Sequence, residues 1–263
     1  MRLAALVVAL ALSSGAAAQT YQITQATKTV GTFDQSLTRT ATGMVSQSRL
    51  QLTNLADLSD RLVAGPEGAA SSYRLEGTAR STRISIDVTI DKATATLVIQ
   101  QGNRSQTRKL TLPGPVAIVD NNMLDGWQIL VDSMPAGASA PRRFDVLVPQ
   151  ALALGRVTLT PAGAATVAVG GKDLPAERFD AVFAVAGQRL RLTLWQGADG
   201  RLLAFEQPSA DGRFELQTPA SKAAASAQAA KSAAARAALE KTLAKEAGCL
   251  TEKTLLVHST GAT

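Results

Sequence analysis

Leu190-Arg191-Leu192-Thr193-Leu194-Trp195-Gln196-Gly197-Ala198-Asp199-Gly200-Arg201-Leu202-Leu203-Ala204-Phe205-Glu206 carries the clearest strand–turn–strand pattern in the chain. Leu190, Leu192 and Leu194 stand at every second position, Gly197 to Gly200 supplies a turn, and Leu202, Ala204 and Glu206 return from it with Leu203 and Phe205 on the opposite face. Successive side chains of a strand point to opposite faces, so a period of two on both sides of a Gly-containing turn is a β-hairpin.

The same period extends outward in both directions. Upstream it runs through Leu50 and Leu52, Tyr73 and Leu75, Ile84, Ile86, Val88 and Ile90, then Leu97 and Ile99, with turn signals at Gln101-Gly102-Asn103 and Pro113-Gly114-Pro115. It resumes at Phe144, Val146 and Val148, then at Val157 and Leu159, Val167 and Val169, and Phe179 to Val185, and Phe214 and Leu216 suit a last strand. Hairpins at near-regular spacing predict a mainly β (α+β) chain. Its main domain, residues 49–218, reads as a curved antiparallel sheet or half-open barrel of about nine to eleven strands. Residues 19–48 are rich in Thr, Ser and Gln and read as an extended lead-in with at most one strand.

Two segments break the pattern. Met123, Trp127, Leu130, Val131 and Met134 share one face of a helix over 121–134, with Asp120 or Asn121 as its N-cap and Pro135 at its end. Gly126 weighs against that helix, since a mid-helix Gly costs about 1 kcal/mol relative to Ala. Residues 219–248 are rich in Ala and bracketed by Pro219 and Gly248, which predicts a long second helix. Its large apolar groups are few, so its first half has little to bury and the segment is a candidate for chain–chain contact. Residues 249–263 form a tail in which Leu255 to Val257 suit a short strand.

Met1 to Gln19 reads MRLAALVVALALSSGAAAQ: one positive charge, a short apolar run and a small-residue A-x-A ending. That is the layout of a secretory signal, with cleavage expected after Ala18 and a periplasmic or secreted destination. No Cys follows the apolar run to take a lipid, and no later stretch is long and apolar enough for a membrane span, so no transmembrane anchor is expected.

Composition narrows the function classes. The chain has 263 residues, 46% hydrophobic and 18% charged, with one Cys and one His. Cys249 and His258 alone supply neither a disulfide nor a usual zinc site, and His258 stands five residues from the end, a poor place for a catalytic base. G-x-S-x-G, G-x-G-x-x-G and P-loop patterns are absent. The net charge of +6 is scattered without basic runs, so nucleic acid is not an expected partner. Asp125 and Asp132 share a helical face but show no metal-loop pattern, and neither metal nor cofactor is predicted. The chain reads as non-enzymatic.

Leu112 to Asn122, running from strand to helix, and the closing hairpin Leu194 to Glu206 resemble the sheet-plus-helix domains of exported bacterial proteins, in particular the lipoprotein-carrier (LolA/LolB-like) half-barrels. That resemblance implies a concave apolar face that receives acyl chains beneath a helical plug. On that reading Met123, Trp127, Leu130, Met134 and Trp195 are the candidate ligand-binding residues, and Asp120, Asn121 and Asn122 are polar groups at the pocket mouth. Two functions stand side by side: a carrier of an apolar, lipid-like ligand or an envelope component, and a structural or interaction module of the envelope with no small ligand. A carrier needs an unfilled apolar concavity of roughly 300 Å³ or more beneath the helix stripe.

Overall fold

The computed structural model describes residues 18–120, 123–135, 137–219, 221–223, 226–227, 230–231, 233–235 and 237–242. The chain divides after Gln217 into a sheet unit and a second unit that begins at Thr218.

The sheet unit opens with β1 (Ala18–Gln25), β2 (Lys28–Thr40), β3 (Gly43–Leu52), β4 (Ala56–Ala64) and β5 (Ala70–Ala79). It continues through β6 (Thr82–Asp91), β7 (Thr94–Gln101), β8 (Arg104–Thr111) and the two-residue β9 (Ala117–Ile118). Helix α1 (Asp125–Asp132) follows, then β10 (Arg142–Val148), β11 (Ala153–Val169), β12 (Lys172–Val185), β13 (Gln188–Gln196), β14 (Leu202–Gln207) and β15 (Gly212–Leu216). They form one sheet of 15 strands in the order β8-β7-β6-β5-β4-β3-β2-β1-β15-β14-β13-β12-β11-β10-β9. The chain walks from the middle of the sheet out to β8, crosses to the opposite edge at β9, and walks back until β15 pairs with β1. Only β9 and β10 run parallel.

That crossing forces the curvature. Laid flat, a sheet of 15 strands would measure about 65 Å across. Yet the link from β8 to β9, residues 112–116, reaches at most about 20 Å. The edges can be joined only if the sheet curls back on itself. The Ala70 N–H at the start of β5 donates to the Val116 carbonyl at 2.8 Å, stitching the incoming link to the far wall.

The strand count exceeds the expected nine to eleven because β1, β2, β4, β8 and β9 add to the alternating stretches read from the sequence. Residues 19–48 are not a lead-in with one strand but β1, β2 and the front of β3, with Tyr21, Ile23, Phe33 and Leu37 buried. Their inward rows also carry Gln35, Ser46 and Ser48, all buried, so the strands look polar on both faces. The runs around Leu159 and Val167 are one strand, β11, kept continuous through a bulge at Pro161–Gly163.

Helix α1 lies inside the curl, with every residue from Asp125 to Val131 buried. It is shorter than the expected 121–134. Leu124, not Asp120 or Asn121, occupies the N-cap and makes no side-chain capping bond. Asp120 accepts a hydrogen bond from the Tyr73 hydroxyl at 2.7 Å instead, which ties it to the β5 wall. Gly126 is where the helix meets β9: a Cβ there would stand 2.1 Å from the Ile118 carbonyl oxygen. The residue that argued against the helix is the one that lets it pack.

In the second unit, Pro219 takes the first helical position. Thr218 caps the helix by accepting the Ser221 N–H on its Oγ1 at 3.1 Å. The described residues from 219 to 242 are helical and mostly exposed, Leu239 by 60%. The expected helix end at 248, Cys249, the strand at Leu255 to Val257, His258, Asn121, Asn122 and residues 1–17 of the expected leader 1–18 lie outside the described residues.

Candidate functional site: a plugged apolar cavity

A helix buried on all sides needs partners for whatever polar groups it carries. Asp125, Gln128 and Asp132 fall at i, i+3 and i+7 and form one polar stripe along α1. Asp125 Oδ1 accepts from Ser46 Oγ and, at 3.3 Å, from Gln35 Nε2, while Oδ2 accepts from Ser48 Oγ at 2.8 Å. Gln128 Oε1 accepts the Leu202 N–H at 2.8 Å. Its Nε2 donates to Asp132 Oδ1 at 2.9 Å and to the Gly200 carbonyl at 2.9 Å. Asp132 also pairs with Arg39, whose Nη2 lies 2.6 Å from Oδ2, and accepts from Gln196 Nε2 at 3.0 Å. The stripe latches the helix to β2 and β3 on one side and to β13, β14 and their turn on the other.

The Asp125 end of this latch holds a second acid. Ser48 Oγ is hydrogen-bonded to Asp60 Oδ1 as well as to Asp125 Oδ2. One hydroxyl hydrogen cannot serve two carboxylates, so one of the two acids must carry a proton. Asp60 is that acid. Burial first, and then the charge of Asp125, push its carboxyl well above the usual carboxylate range. Burial also raises Asp125, but hydrogen bonds from Ser46 and Ser48 work against the rise and favour its ionised form. At Asp132 burial raises the carboxyl, with Arg39 opposing. No cluster of metal-ligating side chains occurs among the described residues, and Asp125 and Asp132 spend their oxygens on the latch.

The opposite face of α1 is apolar and does not fill the space beneath it. A cavity of about 360 Å³ is lined by Met123, Leu124 and Trp127 from the α1 segment and by Phe183, Leu190, Leu192, Phe205 and Phe214 from the sheet. Val119, Val148, Ala151 and Val185 complete the apolar wall, and Asp120, Gln150 and Gln207 are its polar lining groups. Trp127 sets one side through an edge contact with Phe183, centroids 5.8 Å apart, and a tilted contact with Phe205 at 5.6 Å. From Phe205 the aromatic contacts continue through Phe214 and Phe33 to Tyr21, an inner wall across four strands.

The candidate residues therefore separate. Met123, Trp127 and Asp120 line the cavity, whereas Leu130 is fully buried in the core and is not part of its lining. Met134 turns to a larger and more polar opening of about 1160 Å³, beside Arg39, Asp132 and Arg201. Trp195 is half-buried and lies on the opposite face of β13 from Leu192 and Leu194, away from the cavity. Sequence reasoning missed Asp60, Ser46, Ser48 and Gln35, because isolated polar residues in Thr- and Ser-rich strands look like solvent-facing positions. Phe183, Leu190 and Leu192 were legible as strand residues, but nothing in their alternation separates cavity wall from filled core.

No protein-family model matches the chain, and no curated protein matches it. Among solved structures it is similar to the crystal structure of the hypothetical lipoprotein YmcC from Escherichia coli (K12), with 11% identity, a TM-score of 0.32, and coverage of 77% of this chain and 84% of that one. The likeness is not specific to the LolA/LolB type, and at these values no ligand or activity passes from that structure to this chain.

Proposed function

We propose that this is a non-enzymatic, exported protein of the cell envelope that holds an apolar, lipid-like ligand in the cavity beneath α1. The observation that carries the reading is the cavity itself. At about 360 Å³ it is the size of a small ligand pocket, is apolar over most of its wall, and keeps its few polar groups at Asp120, Gln150 and Gln207. A core filled for stability alone closes such space, since interiors pack at the density of organic crystals. No helix among the described residues is long and apolar enough to cross a membrane.

Titration with a fluorescent fatty acid tests the reading. Saturable binding near one equivalent is expected. Ala151→Trp, at an exposed position on the cavity lining, should weaken it at least about tenfold with the fold intact by circular dichroism. Binding unaffected by Ala151→Trp places the fatty acid elsewhere and defeats the proposal.

A second reading, an interaction module with no small ligand, draws on the second unit, whose described helix exposes Leu239 and most other side chains. Sedimentation of the full chain beside a version ending at Gln217 separates them: loss of self-association on truncation, with no lipid bound by either form, favours the module.

A further inference from the structure

The cavity beneath α1 has a neighbour. A second cavity, also about 360 Å³, lies on the inner face of the opposite arm of the sheet, lined by Leu50, Leu52, Leu58 and Ile84. Leu50 pairs with Leu58, Leu58 with Gly77 and Gly77 with Ile84, so these positions form one row across β3 to β6 and point to the same side. Gln150 lines both cavities. It sits on the 3₁₀ turn Pro149–Ala151 between β10 and β11, so this turn stands where the two apolar spaces meet. Arg80 lines the second cavity, where no Asp or Glu does, and makes no ion pair among the described residues.

We propose, resting on the lipid-binding reading above, that the occupant is an anionic lipid with two acyl tails, one in each cavity. Two apolar spaces of equal volume on either side of one polar residue match a molecule that branches into two apolar arms at a polar junction. The Gln150 carboxamide offers both donors and an acceptor where the ester groups of such a lipid join its tails. Arg80 supplies the cation for a phosphate-bearing head group beside the second cavity. A single-chain lipid leaves one cavity unfilled and its wall without contacts.

The test is native mass spectrometry of the delipidated full chain with an equimolar mixture of dipalmitoyl phosphatidylglycerol, its single-chain lyso form, palmitic acid and dipalmitoylglycerol. One phosphatidylglycerol per chain is expected, with about tenfold greater occupancy than the lyso form. Ala56→Phe, which fills the second cavity, should bring the two to equal occupancy. Leu55→Asp should do the same from a position already 44% exposed, and so keeps the test sound if the Phe variant misfolds. Arg80→Gln should remove the preference over dipalmitoylglycerol. Equal binding of one- and two-tailed lipids by the unaltered chain overturns the two-tail proposal and leaves a one-cavity carrier standing. Phosphatidylglycerol binding untouched by both Ala56→Phe and Leu55→Asp does likewise. Failure of every lipid to bind removes both readings.

Discussion

Ser48 on β3 donates a 2.8 Å hydrogen bond to Asp125 at the first turn of α1, fastening the plug helix to the wall of the sheet. The bond joins two buried groups far apart in sequence. The plug is therefore held by polar chemistry on one face while its other face stays apolar and borders empty space.

Removing that bond should loosen the plug. Ser48→Ala leaves Asp125 Oδ2 and the Asp60 carboxyl without their shared partner, and an orphaned buried polar group costs about 1–3 kcal/mol, more when charged. Urea unfolding should show a loss in that range or above. Hydrogen exchange should show the α1 amides exposed ahead of the β11–β12 hairpin. Unchanged α1 protection contradicts the latch.

Stability should fall as the solution becomes more alkaline. Asp60 and Asp125 have folded-state affinities for protons raised above the ordinary 3.8. Their contribution is complete below that value and is lost as pH rises through the raised folded values. The melting temperature should decline across that interval, and Asp60→Asn, which keeps a hydrogen-bonding group but cannot ionise, should flatten the decline. A steeper decline in Asp60→Asn overturns the assignment of the proton to this pair.

Gly126→Ala sets two effects against each other. Helix propensity favours Ala by about 1 kcal/mol. The new Cβ, however, would stand 2.1 Å from the Ile118 carbonyl oxygen, which is backbone and cannot swing aside. Overpacking of this kind costs about 1–3 kcal/mol or more, so the variant should be less stable in urea. A gain would mean that α1 does not press on β9.

The two tryptophans should report differently. Trp127 lines the cavity and Trp195 does not. Fatty-acid binding should shift the emission of Trp195→Phe, which retains Trp127, and leave that of Trp127→Phe unmoved. The reverse result places the ligand outside this cavity.

Much of the fold was legible in the residues and part of the site was not. Alternation around Leu190–Leu194, Ile84–Ile90 and Phe179–Val185 announces strands because each row buries one kind of side chain. It fails over residues 19–48, where Gln35, Ser46 and Ser48 face inward to meet Asp125, so the polar latch hides the strands that carry it. The helix was readable from Met123, Trp127 and Leu130, but its bounds were not, because Asp120 bonds to Tyr73 across the fold instead of capping locally. Partition of the apolar stripe among cavity, core and far opening depends on how the sheet curls, and hydrophobic periodicity carries no signal of that.

On the proposed function, the space beneath α1 is a ligand site. Native mass spectrometry of the protein purified from its own envelope, followed by organic extraction and lipid analysis, decides whether it is occupied. A mass excess of one lipid per chain is expected, removed by extraction and diminished by Ala151→Trp. A bare chain under conditions that preserve bound lipid, running alone or with a protein partner, would contradict it.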